Sequence, residues 1–148
     1  MTYGERKLFE SRSILRYIAK NNIEFEDFLG DTEVDVWLEA ESQNFNPLAS
    51  KIVYEKVFKK MWNKESDEKV VEECVKELEK VLDIYEKRLE NVPYIAGESY
   101  SIADISHIPY SNHLLRCGFK DLFKSRPNVY KWIKRIMKRE AVENVLRH

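Results

Sequence analysis

Pro93-Tyr-Ile-Ala-Gly-Glu-Ser-Tyr-Ser-Ile-Ala-Asp-Ile-Ser-His-Ile-Pro109 decides the fold of this chain, because it reads as a loop that launches one buried helix. Ser101 stands at the N-cap, where its side chain can accept from the amide of Asp104. The Asp104 carboxylate can reach back to the amide of Ser101, so two donors that a helix start leaves unpaired are satisfied reciprocally. Tyr100 before the cap and Ile105 inside the helix form a hydrophobic staple that sets the entry angle. Losing the cap, as in Asp104→Ala, costs about 1 kcal/mol, and more if the carboxylate is buried. Ser101 and Asp104 are thus read as structural. The helix is expected to reach about Leu115, with a first half apolar on nearly every side, as the central helix of a bundle should be.

The flanking sequence is helical as well. Thr32 can cap a helix carrying Val34, Trp37, Leu38 and Ala40, and Asn46-Pro47 is expected to restart it, asparagine being a good cap and proline suiting the first helical position. Beyond that point Leu48, Ile52, Val53, Tyr54, Val57, Phe58, Met61 and Trp62 form a broad apolar stripe. Ser66 is expected to cap the longest helix, where Val70, Val71, Cys74, Leu78, Val81, Leu82, Tyr85 and Leu89 recur at helical spacing and the charged residues between them face solvent. After a break at Gly118, Leu122 and Phe123 seat a short turn. Pro127 then opens a helix with Val129, Trp132, Ile133, Ile136 and Met137 toward the core, and Ala141, Val142 and Val145 close the chain. The fold class is all-α.

Composition narrows the function. The chain has 148 residues, one domain's worth, with 43% hydrophobic and 34% charged side chains. Twenty-five basic and 26 acidic residues leave a net charge of −1, which argues against nucleic acid as a partner. No apolar run approaches the roughly 20 residues of a membrane span, and no signal-peptide core is seen, so neither a membrane nor secretion is expected. Cys74 and Cys117 read as packed, reduced thiols of a cytoplasmic protein. His107 and His113 are spaced wrongly for two ligands on one helical face, so no metal site is expected.

The stretch from Tyr94 to Pro109 resembles the start of the central buried helix in the all-helical domain of glutathione transferases, most closely the plant phi class. Leu8-Phe9-Glu10-Ser11-Arg12 with Tyr17-Ile18-Ala19 resembles the glutathione-contacting end of that family's thioredoxin-like domain, and Phe45-Asn46-Pro47-Leu48-Ala49-Ser50-Lys51 and Ser125-Arg126-Pro127-Asn128-Val129 match in order and spacing. The resemblance implies a remnant of the thioredoxin-like domain over 1–22 (strand and helix), a linker over 23–31 anchored by Ile23, Phe25 and Phe28, and a glutathione-transferase C-terminal-like helical bundle over 32–148. It also implies that the chain is amino-terminally truncated. The catalytic serine and the cis-proline turn of the family have no counterpart here. A strand at residues 6–9 would then lack its sheet partners, and residues 1–9 are expected to be frayed, repacked or paired with another chain.

The same resemblance places Glu10 and Ser11 at the γ-glutamyl end of glutathione, at a helix start that favours an anion. The plainer alternative is that Ser11 caps the helix and Glu10 is solvated. Tyr54 and Phe58 fall on the family's hydrophobic-substrate wall, with His113 where a tyrosine is familiar; the alternative is that Tyr54 and Phe58 are ordinary core. A histidine there would give the pocket a polar handle, able to donate to or accept from a bound phenol or carboxylate. Three functions compete. The first is binding of, or action on, small hydrophobic aromatic plant metabolites without standard conjugating activity. The second is glutathione conjugation, with the chain as a fragment or short isoform, and the third is a protein-interaction module. No cofactor is certain, glutathione being the candidate, and the bared apolar wall suggests a homodimer or pairing with a full-length homologue.

Overall fold

Asp104 is wholly buried, and its carboxylate draws four donors from three segments of the chain. Oδ2 accepts from the Ser101 amide at 2.9 Å and the Ser101 hydroxyl at 3.2 Å. Oδ1 accepts from the Ile95 amide at 3.1 Å and the Trp132 indole at 2.7 Å. The capping box read from the sequence is complete, with Ser101 Oγ also accepting from Ala103 at 3.3 Å. What looked like a local cap is also the point where the loop before the helix and a later helix are tied to it.

The computed structural model describes residues 2–3, 6–22 and 27–147. In chain order they form β1 (Thr2–Tyr3), β2 (Arg6–Lys7), α1 (Ser11–Lys20), α2 (Thr32–Ala40), α3 (Asn46–Val53), α4 (Lys59–Met61), α5 (Glu68–Arg88), α6 (Ile102–Arg116), α7 (Lys120–Lys124), α8 (Pro127–Met137) and α9 (Glu140–Leu146). The architecture is all-α, with α6 at its centre and α1, α2, α3 and α8 packed around it. Pro109 lies inside α6, where its missing N–H removes one helical hydrogen bond. Gly118, at φ 104°, takes the left-handed backbone that ends the helix.

Four sequence expectations change. Asp31, not Thr32, is the N-cap of α2, accepting from Glu33 at 2.9 Å; an aspartate one residue earlier offers the better acceptor. Asp67 replaces Ser66 as the cap of α5 for the same reason, and its own amide donates to Glu55 at 2.8 Å. The helix does not restart at Asn46-Pro47. It runs from α2 through a π-helical turn, Glu41–Phe45, into α3, through a second π turn, Tyr54–Phe58, and into α4, with helical backbone at every junction. The Asn46 amide reaches back to the Glu41 carbonyl, and this wide turn makes room ahead of a proline ring that would clash with an ordinary helical turn. Finally, β2 does find a partner: it pairs antiparallel with β1, Tyr3 opposite Arg6 and Thr2 opposite Lys7. Ile23 and Phe25 of the expected linker lie outside the described residues. Phe28 is half-buried against the edge of Tyr100, with ring centroids 5.4 Å apart.

Around the Asp104 junction sits a buried aromatic cluster. His107 Nδ1 donates to the Ala103 carbonyl at 2.7 Å, and the Tyr85 hydroxyl donates to Nε2 at 3.1 Å. The imidazole lies 4.9 Å from the ring of Phe45, 5.1 Å from Trp132 and 5.4 Å from Tyr85, centroid to centroid. Burial lowers its pKa from 6.5 to about 3 and pushes the Tyr85 phenol well above its usual value. His107 is therefore a neutral core residue with both nitrogens engaged.

Two outcomes are expected. Asp104→Ala strands the Ile95 and Ser101 amides and the Trp132 indole in the interior, at roughly 1–3 kcal/mol each, so urea unfolding followed by tryptophan fluorescence should show a loss of about 3 kcal/mol or more. For His107, the unfolded chain binds a proton near pH 6.5 and the folded chain only near about 3, so its contribution is complete above the first value and is lost as pH falls toward the second. Stability should fall through that window, and His107→Asn, which keeps a donor for the Ala103 carbonyl, should reduce the slope by up to about 1.4 kcal/mol per pH unit.

Candidate functional site

The N-terminus of α1 has no side-chain cap among the described residues. Its N-cap position is Glu10, at φ 66° and ψ 114°, whose side chain makes no capping bond to the first-turn amides. The capping role considered for Ser11 is therefore not the one it has: Ser11 is the first helical residue, exposed, beside open amides. A glutamate in left-handed backbone carries strain of order 1–3 kcal/mol, a cost that tends to sit at binding sites. Open amides and the positive end of the helix dipole suit a carboxylate.

Arg12, one residue on, is aimed the other way. Its Nε donates to Glu41 Oε2 at 2.7 Å, and a second guanidinium nitrogen contacts the same oxygen. Glu41 is almost fully buried in the first π turn, so the pair fastens α1 to the rod formed by α2, α3 and α4. Burial raises the Glu41 pKa and Arg12 lowers it, with burial the larger effect. The Ser106 hydroxyl lies nearby but donates to the Ala103 carbonyl at 2.8 Å, and Glu41 Oε1 has no donor among the described residues. Asn46 Oδ1 is a second buried acceptor in that condition.

Both side chains line a cleft of about 560 Å³ between α1, α6 and the rod. Ser11, Arg12, Ile14 and Leu15 come from α1, Phe58 from the end of the second π turn, and Ile105, Ser106, Pro109, Tyr110 and His113 from α6. Phe58 and His113 face each other with ring centroids 6.4 Å apart. Ser11 stands at the rim; Glu10 does not line the cleft.

Tyr54 occupies a neighbouring hollow of about 310 Å³, which shares Phe58 and Tyr110 with the cleft. It opens the second π turn and Phe58 ends it, and i to i+5 bonding carries residues four apart off the common face of an ordinary helix. Tyr54 is 42% exposed, edge-on to Trp62 at 6.0 Å, so it is not core.

Sequence reading missed Glu41, Asn46 and Tyr110. Glu41 had a visible signal, since it continues the inward stripe of Val34, Leu38 and Phe45. Among the described residues no three His, Cys, Asp or Glu side chains converge on a metal-sized site. No helix among them is long and apolar enough to cross a membrane. Cys74 and Cys117 are free, and burial raises both thiol pKa values, away from reactivity.

Comparison with known proteins agrees with this architecture. Residues 45–140 match the family pattern for the glutathione S-transferase C-terminal domain. A glutathione S-transferase of Hyoscyamus muticus is 42% identical over 144 residues, covering 93% of this chain and 68% of its own length. The apo structure of glutathione S-transferase III superposes with a TM-score of 0.93 at 36% identity, over 99% of this chain and 70% of that one. Glutathione S-transferase I from maize, solved with an atrazine glutathione conjugate, gives 0.89 at 33% identity, over 97% and 69%. The chain thus spans about two thirds of these relatives and belongs to the glutathione S-transferase family.

Proposed function

We propose that these residues form the hydrophobic-ligand half of a phi-class transferase fold and bind small aromatic compounds in the cleft that Phe58 and His113 line. The observation that carries the reading is one continuous cleft of about 560 Å³, a size typical of small-molecule sites, with Phe58, Tyr110 and His113 among its walls and opening beside the bare start of α1. Residues 1–22 belong with the thioredoxin-like part and residues from 32 onward with the helical part. By themselves the 148 residues hold a ligand without activating a thiol. Attack by glutathione requires loss of the thiol proton, and they include no counterpart of the serine that the phi class places at its first helix. A cytoplasmic location and association with a second copy or a longer homologue fit the same reading.

The left-handed Glu10 and exposed Ser11 favour a second reading, conjugation of glutathione to hydrophobic electrophiles. There the γ-glutamyl carboxylate would meet the α1 amides while the cleft holds the electrophile. One relative was solved with such a conjugate bound.

One experiment separates them. The purified 148-residue chain is titrated with the neutral fluorophore N-phenyl-1-naphthylamine, then assayed with glutathione and chlorodinitrobenzene. The first reading expects binding that Phe58→Ala weakens about tenfold, from the lost burial of one phenyl ring, and no conjugation above the uncatalysed rate. Turnover abolished by Ser11→Ala overturns it in favour of the second. A fluorophore affinity unchanged by Phe58→Ala removes the cleft from both.

A further inference from the structure

The net charge of −1 conceals an uneven surface. Lys131, Lys134 and Lys138 recur at i, i+3 and i+7 along α8 and its C-cap, a spacing that sets them on one exposed ridge, opposite the buried Val129, Trp132, Ile133 and Ile136. Beside that ridge stand Arg116, the last residue of α6, and Lys120, the first of α7. None of the five makes an ion pair among the described residues, although Lys124 and Arg126, between them in sequence, each do. The carboxylates of the same elements are engaged elsewhere: Asp121 with Lys124 at 3.6 Å, and Glu86 with the amides that start α8. Between Arg116, Lys120 and Lys134 lies a hollow of about 250 Å³, lined otherwise by Leu115, Ile133, Met137 and Tyr130. It shares no residue with the lining of the aromatic cleft.

We propose that this face docks an acidic peptide segment of a partner protein, one aliphatic side chain entering the hollow and the flanking carboxylates meeting the cations. The five like charges decide the sign of the partner, since an anion relieves their mutual repulsion and is drawn to them from a distance. The hollow decides its class. A bilayer is met by apolar side chains that protrude, whereas Leu115, Met137 and Tyr130 are half-buried among the cations. Single-stranded nucleic acid stacks its bases on open aromatic rings, but Tyr130 has the Lys134 ammonium over its ring, 5.4 Å from the centroid. An apolar side chain between carboxylates matches both parts of the surface at once.

The test is fluorescence anisotropy of a labelled peptide of glutamates with one central leucine, titrated with the 148-residue chain. Binding is expected, weakening as salt is added. Exchanging the leucine of the peptide for alanine should weaken it about tenfold, through the lost apolar burial. Lys120→Glu combined with Lys134→Glu should weaken it at least about tenfold by placing like charges at the rim. Lys60→Glu combined with Lys64→Glu, which alters the net charge equally but at the end of the rod, should leave the affinity within about twofold, as expected for charges beyond the screening length. All four lysines are exposed, so neither pair disturbs the core. The proposal fails if the wild-type chain does not bind the peptide, if the alanine peptide binds as tightly, or if the two charge reversals act alike. It fails equally if oligouridylate or phosphatidylserine vesicles bind more tightly than the peptide and are lost on Lys120→Glu with Lys134→Glu, which would assign the face to nucleic acid or to a membrane surface.

Discussion

A buried carboxylate with four donors, and no cation paired to it among the described residues, is the constraint on which this bundle depends. Burial alone pushes the Asp104 carboxyl above its ordinary pKa, and its four hydrogen bonds pull the other way. Each donor is itself a group that could not be buried unpaired: two backbone amides, a hydroxyl and an indole N–H. The arrangement is therefore reciprocal, and its parts have to be in place together. Because the donors lie at Ile95, Ser101 and Trp132, satisfying them fixes the approach of the Tyr94–Gly97 turn, the entry of α6 and the position of α8 at once. His107 and Tyr85 pack against Trp132 on this frame, and Phe45 packs against both of them, so the aromatic centre takes its register from the same carboxylate.

The sequence disclosed this junction only in part. The Ser101–Asp104 box and the amphipathic stripe of α5 are local signals, and both appear where their spacing places them. The share taken by Trp132 lies 28 residues away and has no local mark. Similarly, Glu86 caps α8 by accepting from the amides of Asn128 and Val129 at 3.0 and 2.9 Å, yet within α5 it reads as one more solvated charge. Errors occurred where two local rules competed. Asn46-Pro47 has the chemistry of a helix start, but a π turn removes the clash that would have required one, and the rod continues. The cost is visible in Asn46 Oδ1, left buried without a donor among the described residues.

The site follows the same division. Phe58 and His113 come from segments far apart in sequence, and only the family resemblance joined them before the fold did. The resemblance puts Tyr54 and Phe58 on one wall, but the second π turn separates their outlooks. The second π turn of the rod thus acts on the cleft directly, sending Phe58, but not Tyr54, into it, while Glu41 meets Arg12 from the inward stripe it shares with Val34 and Leu38.

On one flank α1 borders the cleft, and on the other an apolar cavity of about 410 Å³ that it shares with α6 and α9. At its first turn α1 is held by the Arg12–Glu41 pair, a directional clasp that has little value unless both charges stay matched in a dry setting. Farther along, Leu15 and Ile18 border open apolar volume on the two sides instead of a filled core. Close packing supplies much of the adhesion between helices, so the back of α1 is held less firmly than its front. The Arg12–Glu41 pair therefore supplies the directional part of the docking of α1, and with it the position of the Ser11 end of the cleft.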